Sequence, residues 1–110
     1  IITHKVPNVK SRITYKCVIN QNMHESIDVL VRIEETAEGT DTYLHLDILQ
    51  VGANSSVSAT PSMKISNKNV KAGHGATIGY IPEELLYYLY SRGLSKEKAE
   101  SLYIAGFLQK

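Results

Sequence analysis

Strand-like tracts recur roughly every 14 to 18 residues with no helical pattern between them, and this spacing constrains the chain more than any other feature. Residues 13–19 (ITYKCVI) are β-branched and partly alternating. Residues 27–33 (IDVLVRI) put Ile27, Val29, Val31 and Ile33 on one face, because successive side chains of a strand point to opposite sides. Residues 43–51 (YLHLDILQV) put Leu44, Leu46 and Ile48 on one face and Tyr43, His45 and Asp47 on the other. Residues 3–12, polar and containing Pro7, read as a loop or irregular edge. Residues 20–26 read as a turn, and residues 34–42 as a polar connection with Gly39. Residues 52–62 are rich in Gly, Asn, Ser and Thr, and short strands are expected at Met63–Ile65 and Asn69–Ala72. No helix and no Asn-Gly hairpin turn joins these tracts, which disfavours βαβ units and tight meanders. A solenoid, in which each turn of chain stacks on the last, fits the spacing. A small sandwich gives nearly the same pattern, so spacing alone does not separate the two.

The period changes after residue 80. Pro82 suits a first helical turn, where its missing N–H would be unpaired anyway. Glu83 and Glu84 favour the positive end of the helix dipole. Leu85, Leu86 and Leu89 fall on one face, Arg92 closes the last turn, and Gly93 is placed for a left-handed cap. Ser95 caps a second helix, whose Ala99, Leu102, Tyr103, Gly106 and Phe107 follow the spacing of one buried stripe. With only Gly93 and Leu94 between them, the helices form an αα-hairpin. Tyr87, Tyr88 and Tyr90 fan around the first helix, so at least one points away from the core. Exposed tyrosines suit interfaces, where the ring gives area and the hydroxyl a hydrogen bond; the plainer reading is cover for the core edge. The chain divides into a β region, 1–79, and a helical region, 80–110.

Charge and cysteine content exclude several classes. The 12 basic and 11 acidic residues leave a net charge of +1, so no basic excess points to nucleic acid. Apolar runs are too short to span a membrane as helices. A single cysteine, Cys17, cannot close an intramolecular disulfide, and a reducing compartment is the simplest assumption. The first residue is Ile1 and a strand-like tract follows almost at once, so the chain reads as a piece of something longer. A cut stack exposes unpaired strand edges and is expected to self-associate.

The chemistry centres on His74, read as ending a strand-like tract. Gly73 and Gly75 beside it allow unusual torsions or a close backbone approach. A histidine held there could ligate a metal, accept a proton or hydrogen-bond across an interface; the plainer reading is a structural histidine in a turn. GHGATIG is not a nucleotide loop, because Pro82 starts the helix well past the glycines and no Lys-Ser or Lys-Thr follows them. His45 and Asp47 share a face but lack an evident third ligand. Cys17 reads as a small buried hydrophobe. A small enzyme using His74 as general base would need an acidic or nucleophilic partner that the sequence does not supply.

The run Val70–Gly79, followed by YLYSRGLSKEKAESLYIAGFL, resembles the C-terminal end of the SufB/SufD family of iron–sulfur cluster assembly scaffolds. Tyr88, Leu89, Ser91, Arg92, Gly93, Ala99, Gly106 and Phe107 match its pattern; Ala59–Ile65 fits the family's Pro-x-x-x-Ile strand, and His4 and Ser11 fit more loosely. The resemblance implies a mainly β fold: the C-terminal coils of a right-handed parallel β-helix followed by a short helical hairpin. It implies a non-enzymatic cytoplasmic scaffold that pairs with a SufB/SufD-type subunit and docks the ABC-type ATPase SufC. Tyr87, Tyr88, Tyr90, Arg92 and Gly93 would form the docking surface, with neither nucleic acid nor membrane as partner. It further implies a transient iron–sulfur cluster in the full complex, none held by this chain alone, and His74 at the pairing interface. SufB-type chains carry His-Glu here and a cysteine six residues before the proline. This chain has Gly75 and Ser55 at those places, which favours a SufD-like member. Cys17 matches no family cysteine. An accessory role beside an ABC transporter is a further reading, disfavoured by the lack of membrane segments.

Overall fold

Every strand but the first is ten residues long, and each pairs in parallel with the strand two before or after it. The computed structural model describes residues 1–109. One sheet has the order β1 (Ile2–His4), β3 (His24–Ile33), β5 (Ser56–Ile65); the other has the order β2 (Lys10–Ile19), β4 (Asp41–Gln50), β6 (Lys71–Tyr80). Two helices follow, α1 (Glu83–Ser91) and α2 (Lys96–Gln109). The chain changes sheet at every connection between strands. Lys10 lies beside Asp41, 31 residues on; His24 lies beside Ser56, 32 on; Asp41 lies beside Lys71, 30 on. Each repeat therefore places one strand in each sheet, and three repeats stack. This mainly β arrangement of two parallel three-stranded sheets fits a β-helix-like fold.

The alternation read from the sequence sets the core. Val31 and Ile33 from one sheet meet Leu44 and Leu46 from the other, all fully buried together with Ala37. Removing such a side chain from water stabilises by about 1.5–3 kcal/mol. The corners of the stack use left-handed backbone at Asn8, Asn22 and Asn54, and at Gly39 and Gly52. Asn54 Nδ2 donates to Asn22 Oδ1 at 2.9 Å, which ties the second corner of one repeat to that of the next. Gly39 lies over Asn8, and a Cβ at Gly39 would collide with the Asn8 carboxamide.

Two expectations for the strands are corrected. Residues 3–12 are not all loop: β1 reaches His4 and β2 begins at Lys10. The short strands expected at Met63–Ile65 and Asn69–Ala72 belong to longer ones, β5 and β6. In β5 the small polar residues Ser56, Ser58, Thr60 and Ser62 are exposed and alternate with half-buried Val57, Ala59, Pro61 and Met63. Low side-chain bulk hid a strand whose alternation is complete. Pro61 is compatible with it because β5 is an edge strand.

The helices pack on the second sheet's outer face, around Leu49, Val51 and Ile81, with Val18, Leu86, Tyr103, Ile104 and Phe107. Four residues, 92–95, join them. The Gly93 N–H bonds the Tyr90 carbonyl and the Leu94 N–H bonds the Leu89 carbonyl, closing α1 in a Schellman motif with Gly93 at φ +92°. Ser95 Oγ accepts the Lys98 N–H at 3.2 Å and caps α2. The stripe expected on α2 is rotated. Ala99 is fully buried and Tyr103 and Phe107 are half-buried, but Leu102 and Gly106 are exposed and Ile104 packs instead. The end of α2 is held against β2, where Lys16 Nζ donates to the Phe107 carbonyl at 2.8 Å and lies 5.6 Å from that ring's centre. That anchor turns the Tyr103–Ile104–Phe107 side toward the sheet.

Candidate functional site

His74 does not end a strand. It is the fourth residue of β6 and pairs with Leu44. Paired residues of a parallel sheet point the same way, so His74 lies on the sheet face that buries Leu44. Ala72, Ala76, Ile78 and Tyr80 share that face, in register with Thr42, Leu46, Ile48 and Gln50. Those five β4 positions are buried, whereas all five on β6 are exposed. The difference arises because β6 and β5 are edge strands, with no further strand beside them among the described residues. Among the described residues the His74 side chain has no hydrogen-bond partner. No acid or nucleophile among the described residues lies within hydrogen-bond reach of the His74 side chain.

The glycines beside His74 have a cause on the opposite face. Tyr43 lies across them: a Cβ at Gly73 would sit 3.1 Å from Tyr43 Cδ2, and one at Gly75 would sit 2.7 Å from the Tyr43 hydroxyl. Both glycines have ordinary torsions, so close approach, not unusual backbone, is what they provide. The sequence left the approaching group open; its signal was the 30- to 32-residue offset, which places Tyr43 beside Gly73 and His45 beside Gly75. His45 Nε2 lies 3.3 Å from Thr77 Oγ1 on the same outer face. No group of three His, Cys, Asp or Glu side chains that could hold a metal occurs among the described residues.

Cys17 is half-buried and lies in register with Ile48 on the inward face of β2. Burial pushes its thiol pKa up, and the negative charge of Glu25 adds to the effect. Such a thiol is a poor nucleophile at neutral pH.

The tyrosine-rich helix is the second candidate. No residue of α1 is buried; Tyr87 is 66% exposed, Tyr88 53%, and Leu85 is exposed beside them. The Tyr87 and Tyr90 rings meet edge to face with centres 6.3 Å apart. Arg92 stacks over the Tyr88 ring at 5.3 Å, and its Nε donates to the Tyr88 hydroxyl at 3.3 Å. This pair holds a charged planar group and an aromatic ring in fixed relation on an open surface. Gly93 makes the turn that ends the helix just past them. The structure thus brings Tyr87, Tyr88, Tyr90, Arg92 and Gly93 together on one helix and its cap. His74 belongs to a different surface, the inward face of β6.

Residues 1–107 match the family described as SUF system FeS cluster assembly, SufBD core domain. The chain belongs to the SufBD core family. Among its relatives, the iron-sulfur cluster assembly protein SufB of Bacillus subtilis (strain 168) is 31% identical over 106 residues, covering 96% of this chain and 23% of the relative. The SufBD family protein Rv1461 of Mycobacterium tuberculosis (strain H37Rv) is 32% identical over 106 residues, 96% of this chain and 12% of the relative. The SufBD family protein SERP0500 of Staphylococcus epidermidis (strain RP62A) is 29% identical over the same length, 96% of this chain and 23% of the relative. The chain spans less than a quarter of the length of these SufBD relatives. No helix among the described residues is long and apolar enough to cross a membrane.

Proposed function

We propose that the chain is the C-terminal part of a SufB/SufD-type scaffold for iron–sulfur cluster assembly, acting in the cytoplasm without catalysing a reaction itself. Its β region, 1–79, is the last part of a right-handed parallel β-helix and pairs with a like subunit. Its helical region, 80–110, of which Lys110 lies outside the described residues, docks a SufC-type ABC ATPase. The nascent cluster is cargo of the full complex, and His74 stands near the pairing surface. Gly75 and Ser55 make the chain SufD-like in this reading, since a SufB-type glutamate and cysteine are replaced there.

The observation that carries the reading is the uncovered α1. The nine-residue helix packs on its own chain through half-buried Leu86, Leu89 and Tyr90, and on its other side it presents Leu85, Tyr87, Tyr88 and a stacked Arg92. Aromatic and arginine side chains of this kind dominate the binding energy of protein interfaces. The open face of β6 supports pairing in the same way, because its inward side chains lack the cover that their β4 neighbours have. Pull-down with the cognate SufC-type ATPase should retain the wild-type chain. Tyr88→Ala or Arg92→Ala should weaken binding about tenfold or more, the usual cost of an interface anchor. Undiminished binding by both variants rules out α1 as the docking surface.

A further inference from the structure

The outer face of the second sheet carries a basic patch at the start of its strands, away from both surfaces above. Lys10, Asp41 and Lys71 occupy one register row across β2, β4 and β6. Neighbouring strands lie about 4.8 Å apart, so the two lysine backbones are about 10 Å apart with Asp41 between them. Asp41 is already paired: Arg12 Nη2 lies 3.3 Å from its Oδ1. Lys68 stands on the loop leading into β6. The side chains of Lys10, Lys68 and Lys71 have no hydrogen-bond or ion-pair partner among the described residues. Lys10, Arg12, Lys68 and Lys71 surround Asp41, whose charge Arg12 offsets in part, and Glu38 accepts from Asn69 Nδ2 at the edge of the patch, so cations outnumber carboxylates on a chain whose net charge is only +1.

Two adjoining clefts of about 320 and 430 Å³ share Asp41 and Lys71 and span the patch. Tyr43 borders the first, lying flat against Gly73 and half-exposed, so an aromatic surface adjoins the charges. Both clefts are shallow and open along the sheet. A small ligand would keep most of its surface in water there, whereas pockets that hold small molecules bury about 70–90% of them. A chain segment that runs across the row can use the cations without being enclosed.

We propose that this patch docks an acidic protein segment in extended form, with carboxylates on alternate residues. Alternate residues of an extended segment share a face and lie about 6.7 Å apart. The flexible lysine stems cover the remainder of the span between Lys10 and Lys71. The central Asp41 repels a single compact anion placed over it but is straddled by two separated carboxylates.

The test is an NMR titration of the labelled chain with a blocked octapeptide alternating Glu and Ser. The same peptide with Gln for Glu, and inorganic pyrophosphate, serve as comparison probes. Amide shifts should move at residues 10, 41–43 and 68–71, with affinity falling as salt rises. Lys10→Glu with Lys71→Glu should lower affinity at least about tenfold, and the paired Gln variants should lower it less, while Lys64→Glu on the other sheet should leave it unchanged. Unperturbed binding by the Lys10/Lys71 variants overturns the proposal. So does equal binding of the Gln peptide. Tighter binding of pyrophosphate at the same residues also overturns it, and assigns the patch to small phosphate compounds.

Discussion

Tyr43 shows how one side chain can set the composition of a neighbouring strand. Its ring occupies the space above Gly73 and Gly75 that larger residues on β6 would fill. Gly75→Ala should force the Tyr43 hydroxyl aside and cost under about 1 kcal/mol, because the far end of that side chain can move. In a Tyr43→Ala background the same change should instead stabilise by about 0.5–1 kcal/mol, since alanine loses less backbone entropy than glycine. Urea denaturation of the four proteins measures the coupling, and additive effects would remove Tyr43 as the cause. Cys17 gives a pH signature of the same local kind. Its folded-state pKa is raised by burial first and by Glu25 second. Below the unfolded value of 9.0 both states hold the proton and pH has no effect through this group. Above it the unfolded chain loses the proton first, so stability falls as pH rises through the folded pKa. Cys17→Ser should flatten that part of the stability–pH curve, measured by denaturation between pH 8 and 10; an unchanged slope would place the effect elsewhere.

At the scale of elements, legibility followed side-chain bulk. The centres of β3 and β4 could be read directly, because Ile27, Val29, Val31 and Ile33, and Leu44, Leu46 and Ile48, repeat at every second residue; their starts, His24–Ser26 and Asp41–Thr42, were read as a turn and a connection. β5 and β6 could not, because Ser, Thr, Ala and Gly carry the alternation there, and glycine is also the residue of turns. That is why His74 looked like the end of a strand. The helix ends were the clearest feature: Gly93 and Ser95 each answer a specific unpaired backbone group, and Pro82 stands at the cap position, one residue before the first turn it was expected to join. Gly93 has open space around it, so its conformation alone determines what a substitution costs. Gly93→Ala should destabilise by about 1 kcal/mol through the left-handed torsion, seen in thermal or urea unfolding. No measurable change would mean that the two helices join by another turn.

At the scale of the whole molecule, the stack has one helix-bearing side and, among the described residues, edge strands at both ends. The sequence suggested stacking from strand spacing but could not separate it from a sandwich. What decides the strand order is the register, and its signals were residues that recur about one repeat apart: Asn22 above Asn54, Asn8 beneath Gly39, Tyr43 beside Gly73. Pairs such as these lie some 30 residues apart and mean little until the repeat length is known. The tyrosine helix and the histidine stand out in the sequence as candidates, but their separation does not. His74 faces inward on an edge strand, whereas Tyr88 and Arg92 lie on a helix packed against the sheet's other face.

That separation makes the docking proposal directly measurable. Hydrogen exchange of the chain, alone and with the cognate SufC-type ATPase, reads protection segment by segment. The ATPase is expected to slow exchange across residues 83–93 and to leave the β6 amides near His74 unchanged. Protection confined to β5 and β6, with α1 exchanging as freely as in the isolated chain, would contradict it.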